Sequence, residues 1–159
     1  MCAIVDANVV SEVFGSNLPP AGEKFFDWLN QGSGQLVVGG KLLEELENSS
    51  ADFRRWGQEA QLAGKMRIAN KSEVDARTEQ IQNEGTIRSD DPHVIALAQV
   101  SGARLLYSND GNLQKDFNNK RLIDDPRGKV YSTSGDGSFQ RRHDRLLKNK
   151  NLCRLQSYG

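Results

Sequence analysis

The sequence predicts an α/β fold in which helices flank a central parallel sheet in three layers. Short apolar runs at residues 3–5, 36–38 and 105–107 alternate with longer helical stretches, as in parallel sheets that are covered on both faces. A helix start at residues 90–92, a helix stop at Gly102 and the apolar run that follows also indicate a right-handed βαβ unit.

The elements follow in order along the chain. A strand over residues 3–6 leads into a helix from Asn8 to Phe14, and the prolines of Leu18-Pro19-Pro20 then break the chain. The later predicted elements are an aromatic helix ending near Gly32, a strand at 36–38, helices at 41–48, 51–63 and 71–83, a candidate strand at 67–69, the βαβ unit, a candidate edge strand at 129–131 and a partly helical tail at 139–155.

Length and composition indicate one globular domain, since 159 residues with 36% hydrophobic content are enough for a single core. No run approaches the roughly 20 apolar residues of a membrane span. No signal peptide is visible, so we expect a cytoplasmic protein without membrane contact. Cys2 and Cys153 give neither a disulfide framework nor the spacing of a metal finger.

Charge is unevenly distributed although the net charge is zero. Residues 126–159 contain eight Lys or Arg and two Asp, so we divide the chain into a domain at 1–125 and a basic extension at 126–159, packed on that domain or trailing from it. A basic segment of this kind suits phosphates, although a solvated surface or a partner-docking edge explains it equally well. The candidate nucleic-acid contacts are Arg127, Lys129, Arg141, Arg142 and Arg145.

Four acidic residues stand where a strand ends or a helix begins: Asp6, Glu45, Asp91 and Asp110. The carboxyl ends of parallel strands share one edge of a sheet, and ligands bind in the crevice there. Carboxylates gathered in one crevice repel one another unless a cation neutralises them, and oxygen ligands suit Mg²⁺ or Mn²⁺. The sequence therefore predicts a metal-dependent phosphoryl-transfer enzyme.

Each of these acids has a purely structural alternative. Asp6 before a helix is equally explained as an N-cap, and Asp110 in Asp110-Gly111 as a turn residue.

The other two acids each have an acidic neighbour. Helical neighbours point about 100° apart, so only one of Glu44 and Glu45 faces the crevice, and Glu45 borders the apolar side of its helix. Asp91 lies nearer the buried stripe than Asp90 and is the preferred ligand, with Asp90 as the cap. The structural alternatives are helix capping alone for Asp90 and Asp91, and a solvated helix face for Glu44, Glu45 and Glu47.

Other catalytic arrangements find no support in the sequence. His93 and His143 are isolated, and we interpret His93 as a packing or surface residue. The sequence shows no Ser-His-Asp or Cys-His arrangement and no phosphate-binding glycine motif.

Several segments resemble PIN-domain proteins, especially toxins of the VapC type. The resemblance covers about residues 3–123 and keeps the four acids in family order. It is carried by the segments Ile4-Val5-Asp6-Ala7-Asn8-Val9-Val10-Ser11-Glu12, Leu43-Glu44-Glu45-Leu46, Asp91-Pro92-His93-Val94-Ile95-Ala96-Leu97-Ala98 and Gly102-Ala103-Arg104-Leu105-Leu106-Tyr107-Ser108-Asn109-Asp110.

This resemblance implies a PIN-like sheet and an endoribonuclease that leaves a 5′-phosphate and a 3′-hydroxyl. It further implies a homodimer and a cognate antitoxin. The implied metal ligands are Asp6, Glu45, Asp91 and Asp110, with Asn8, Ser108 and Asn112 orienting them. Two positions depart from the family pattern, because Ser108 replaces the usual Thr and Asn112 replaces a further acid.

Two rival functions remain. An inactive PIN-like module would bind RNA or a protein through the basic extension. A phosphatase would use Asp6 as its nucleophile, but that chemistry resembles a motif with a second Asp two residues later, where this chain has Asn8.

Overall fold

The computed structural model describes residues 1–154. Its strands are β1 (Cys2–Val5), β2 (Gln35–Val38), β3 (Met66–Ile68), β4 (Leu105–Tyr107) and β5 (Lys129–Tyr131). Its α-helices are α1 (Val10–Phe14), α2 (Pro20–Asn30), α3 (Gly40–Ser49), α4 (Ala51–Leu62), α5 (Lys71–Glu84), α6 (Pro92–Ser101), α7 (Gly111–Asn118) and α8 (Arg141–Lys148). Short 3-10 helices occupy Ala7–Val9 and Lys150–Leu152.

The five strands form one parallel sheet in the order β3-β2-β1-β4-β5. Ala3 pairs with Leu36 on one side of β1, and Ile4 pairs with Leu106 on the other. The predicted α/β class, with a parallel sheet between helices, is therefore confirmed. Because β1 and β4 are neighbours, the residues that follow these two strands meet at the carboxyl edge of the sheet.

Helix α6 is apolar on almost every side because it is buried in the core. Seven successive residues, from Pro92 to Ala98, are buried, because α6 lies between the sheet and the neighbouring helices α3 and α5. The helix ends at Gly102, whose φ of +86° is a left-handed conformation that favours glycine, as predicted for a helix stop. Burial fixes α6 firmly and so fixes the position of Asp91 at its start.

The C-terminal part of the chain is built into this body. Residues 129–131 form the edge strand that the sequence predicts, and α8 packs on α2 and β5. The rings of Phe25, Tyr107 and Tyr131 lie between 4.9 and 5.1 Å apart by centroid and join α2 to the β4–β5 side of the sheet. The predicted tail at 139–155 extends past residue 154, and its last position lies outside the described residues.

Two local expectations were wrong. The expected absence of a disulfide is corrected, because Cys2 and Cys153 are bonded with their Cα atoms 5.2 Å apart. Cys153 reaches the start of β1 because the C-terminal segment pairs with Ala103, which the cysteine spacing does not reveal. The structure also contains a helix that the sequence analysis did not predict, α7, which begins at the Asp110-Gly111 pair interpreted as a turn.

Among residues 1–154, no helix is both long enough and apolar enough to cross a bilayer.

Candidate active site

Three of the four predicted acids follow directly from the topology of the carboxyl edge. Asp6 comes straight after β1, Asp110 shortly after β4, and Asp91 occupies the N-cap of α6. Glu45 approaches the same edge from the middle of α3. The charges of Asp110 and Glu45 raise the pKa of Asp6, and the charges of the other three acids raise the pKa of Asp91, which indicates that the four carboxylates lie on the same side of the molecule.

Asp6 is the most deeply buried of the four, with 4% of its surface exposed. Its Oδ2 accepts a hydrogen bond of 2.8 Å from the Ser108 hydroxyl, and its Oδ1 accepts a bond of 3.4 Å from the backbone N–H of Asn8. Burial raises the pKa of Asp6, the two hydrogen bonds oppose that rise, and the charges of Asp110 and Glu45 add to it. The carboxylate is thus held in a costly environment, as at many functional sites.

Asp91 is half-buried, whereas its neighbour Asp90 is exposed. It occupies the N-cap of α6 but makes no capping hydrogen bond with its side chain. Burial raises its pKa first and the charge of Asp6 next, while a charge on His93 lowers it and the two remaining acids raise it further. The capping interpretation therefore does not account for the Asp91 carboxylate.

Glu45 contacts a histidine that the sequence analysis set aside. His93 Nε2 lies 2.6 Å from Glu45 Oε1, and His93 is 2% exposed. A carboxylate only accepts hydrogen bonds, so Nε2 carries the proton and donates it. The buried Nδ1 has no hydrogen-bond partner among residues 1–154. Glu44 is exposed, so Glu45 is the member of the pair that faces this edge.

Asp110 caps α7 through Oδ1, which accepts bonds from the N–H groups of Asn112 (3.0 Å) and Leu113 (3.3 Å). Its own N–H donates to Ser108 Oγ over 3.1 Å. Ser108 thus links Asp6 and Asp110 through its hydroxyl group. Asn8 and Asn112 are exposed residues, and the contacts that they make with the acids run through backbone N–H groups rather than side-chain amides.

A second polar network beside Asp110 was missed in the sequence. Glu12 accepts hydrogen bonds from the Tyr107 hydroxyl and the Asn109 amide, each over 3.0 Å, and from the Thr133 hydroxyl. Asn109 Oδ1 in turn accepts from the Ser132 hydroxyl (2.8 Å) and the Thr133 N–H (2.9 Å). The network ties the segment after β4 to the segment after β5. Its only signal in the sequence was a concentration of polar residues after two apolar strands.

Asp116 holds the connector that leads into Asp91. This buried carboxylate on α7 accepts the backbone N–H of Arg88 over 2.9 Å and that of Ser89 over 2.9 Å. Ser89 Oγ then accepts a bond of 3.3 Å from the Asp91 N–H. Asp116 therefore positions Asp91 indirectly, through the backbone of Arg88 and Ser89 and through the Ser89 hydroxyl. The sequence analysis did not predict this role.

The predicted basic residues divide into two groups. Arg141, Arg142 and Arg145 are exposed on α8, whose first turn is tied to the carboxyl edge because His143 Nε2 donates to the Ser132 carbonyl over 2.7 Å. The other two, Arg127 and Lys129, are exposed at the amino end of β5, which is the opposite edge of the sheet.

The donor chemistry of the four acids suits a hard divalent cation, because every side-chain donor is a carboxylate oxygen. Within residues 1–154, however, no three His, Cys, Asp or Glu side chains converge closely enough to hold a metal ion together. Three of the carboxylates point instead to protein donors: Asp6 to Ser108, Asp110 to the start of α7, and Glu45 to His93. The four acids therefore suit a divalent cation in their charge and in their donor atoms, but their side chains do not converge on one point within the described residues.

No family model, no curated protein and no solved structure matches this chain. The PIN-domain resemblance therefore remains a hypothesis that rests on the sequence motifs.

Proposed function

We propose that this protein is a metal-dependent endoribonuclease of the PIN type. The observation that carries the proposal is the placement of the acids at one sheet edge: Asp6 follows β1, Asp91 starts α6, and the Ser108 hydroxyl donates to Asp6 and accepts the N–H of Asp110. Burial and the charges of the other acids also raise the pKa of Asp6 and that of Asp91. Such a cluster costs folding free energy, and a bound cation with a phosphate substrate offsets that cost.

The cation would be Mg²⁺ or Mn²⁺, and its candidate ligands are Asp6, Glu45, Asp91 and Asp110, whose side chains would have to turn from their present partners to converge on it. When bound, it would polarise a phosphate and acidify a water molecule. Ser108 orients Asp6 through its hydroxyl, and His93 orients Glu45 through Nε2–H. The buried positions of Ser108 and His93 limit the freedom of both carboxylates.

Helix α8 is the proposed RNA contact. Its exposed arginines Arg141, Arg142 and Arg145 offer bidentate donors to phosphates, and His143 ties the start of the helix to the carboxyl edge. Arg127 and Lys129 lie at the amino end of β5, on the opposite edge of the sheet from the acids, so they would contact a different part of the RNA. The proposal includes a toxin that forms a homodimer and has a cognate antitoxin, as the resemblance implies. It keeps the cytoplasmic location expected from the sequence, although the bond between Cys2 and Cys153 is of a kind that is rare in a reducing cytoplasm.

The test is cleavage of a mixed RNA pool with Mn²⁺ or Mg²⁺. Asp6→Asn, Asp91→Asn and Glu45→Gln are compared with the wild type and with an EDTA control. The chain supplies matched controls, because Asp90→Asn and Glu44→Gln neutralise exposed acids that are immediate neighbours of the proposed ligands. We expect at least a hundredfold loss of rate for the first set and little change for the second.

Equal activity in both sets would refute the assigned site. RNA binding without cleavage, at any metal concentration, would favour the inactive binding module. Turnover of a phosphomonoester with intact RNA would favour the phosphatase. The toxin assignment is tested separately by inducing the chain in bacteria, where growth arrest should depend on Asp6.

A further inference from the structure

A cavity of about 920 Å³ lies beside the C-terminal end of α6. Its wall runs from β3 and the start of α5 to the last turn of α6, and it includes the side chains of Arg67, Arg104 and Arg154. Helix α6 has ten residues and is therefore about 15 Å long, with Asp91 at its other end. The arginine end of the cavity, at Gly102 and Arg104, is thus separate from the acidic edge, whereas the wall residues after β3 lie on the carboxyl side of the sheet.

Arg104 is the unusual member of the wall, since only 8% of it is exposed. Its Nη1 donates to the carbonyls of Ala98 (2.8 Å) and Ala103 (3.1 Å), while its buried Nε has no hydrogen-bond partner within residues 1–154. Burial lowers the pKa of Arg104, and the charge of Arg154 lowers it further. A desolvated guanidinium beside a second cation is costly without an anion.

Arg154 is placed beside Arg104 by backbone contacts and by a covalent bond. Its N–H donates to the Gly102 carbonyl over 2.8 Å, the Arg104 N–H donates to the Leu152 carbonyl over 2.9 Å, and Cys153 is bonded to Cys2. Gly102 is needed here, because a Cβ at this position would meet the Arg154 carbonyl oxygen at 2.5 Å. The chain therefore brings the second arginine to the cavity by several independent restraints.

The cavity wall contains three Arg side chains and one acidic side chain. Acidic residues are present, since Glu73 belongs to the wall and Arg154 forms an ion pair of 2.8 Å with the exposed Asp125. The charge of Asp124 also opposes the lowering of the Arg104 pKa. Against these acids stand the three arginines of the wall and Arg77, which donates to the wall residue Gln99.

We infer that this cavity binds a small organic phosphate, whose phosphate group meets the guanidinium groups of Arg104 and Arg154. Guanidinium forks match phosphate oxygens in pairs, and the volume falls in the range of about 300–1,000 Å³ of small-molecule sites. Within the described part of the chain no aromatic side chain lines the cavity, so it offers no stacking surface for a base. The polar wall residues Asn70 and Ser101 suit the hydroxyl groups of a sugar.

The test is isothermal titration calorimetry of the full chain with ribose 5-phosphate, inorganic phosphate and ribose, in EDTA and at low salt. We expect ribose 5-phosphate to bind and ribose to give no heat. Arg104→Gln and Arg154→Gln should each weaken binding by about tenfold to hundredfold, because each removes a charged hydrogen-bond donor. Arg121→Gln, an exposed arginine outside the cavity, should leave it unchanged.

If Arg104→Gln does not fold, the binding measurement on Arg154→Gln alone tests the inference. The Arg154 side chain is half exposed, so we expect its replacement to leave the fold intact. The inference would be overturned if neither ribose 5-phosphate nor phosphate bound at a ligand concentration on the order of 10 mM, which would detect even a weak site. So would equal binding by wild type and Arg154→Gln. Asp6→Asn should bind ribose 5-phosphate normally, so failure of the nuclease proposal and failure of this one are distinguishable.

Discussion

Asp116 offers the sharpest test of how the fold positions the acidic edge. It is buried on α7 and accepts the N–H groups of Arg88 and Ser89, which belong to the connector before Asp91. The perturbation is Asp116→Ala, which removes the acceptor and leaves two backbone donors without it. Asp116→Asn is the matched variant, because it keeps the size of the side chain and one acceptor oxygen.

The expected loss follows from the number of bonds. Each hydrogen bond to a charged group contributes about 1.5–3 kcal/mol, so removal of the carboxylate from two donors should lower the free energy of unfolding by about 3–6 kcal/mol. Asp116→Asn should lose about half as much. A domain of this size is expected to have about 5–15 kcal/mol of stability, so both variants should still fold.

Urea denaturation followed by circular dichroism measures the loss, and RNA cleavage measures its consequence for Asp91. We expect Asp116→Ala to lower the cleavage rate as well, since the Asp91 N–H is bonded to Ser89 in the same connector. A change in unfolding free energy below about 0.5 kcal/mol, which is ordinary for a surface substitution, would refute the reasoning.

Three further predictions concern the edge and the termini. Burial and neighbouring charge raise the pKa of Asp6 above its usual value of 3.8, so the ionised carboxylate lowers the stability of the folded protein as the pH rises above that value. Asp6→Asn should therefore have a higher free energy of unfolding than wild type, by about 1 kcal/mol at pH 7 and by less at pH 3. Urea titrations at both pH values measure the difference. His93→Leu should lower kcat for RNA about tenfold or more. His93→Gln should keep most of the wild-type kcat with KM unchanged, because its amide can replace Nε2–H as the donor to Glu45. An equal loss of kcat in both variants would indicate that His93 only packs. Reduction of the bond between Cys2 and Cys153, separated by 151 residues, should lower the unfolding free energy by up to about 5 kcal/mol, and an unchanged urea midpoint in dithiothreitol would contradict this.

The sequence was sufficient for the sheet because its local signals agree with one another. The short apolar runs became strands, the Asp-Pro start and the Gly102 stop bounded α6, and the edge strand lies at residues 129–131. Each of these signals depends on residues close together in the chain, so periodicity and turn chemistry are enough to detect it.

Contacts between distant segments explain what the sequence could not provide. Glu45 and His93 are 48 residues apart, and Asp116 and Arg88 are 28 residues apart. The bond between Cys2 and Cys153 likewise depends on a C-terminal segment that returns to β1. Such partners meet only after the strand order is known, and neither spacing nor composition determines that order.

Position 108 is usually Thr in the PIN-domain proteins that this chain resembles, and it is Ser here. The usual Thr differs from Ser by one methyl group, and the structure uses only the hydroxyl, which donates to Asp6 and accepts from the Asp110 N–H. Ser108 is fully buried, so its oxygen has no water to replace either partner. The hydroxyl is therefore what joins the acid after β1 to the acid after β4, and loss of the methyl group leaves that link intact.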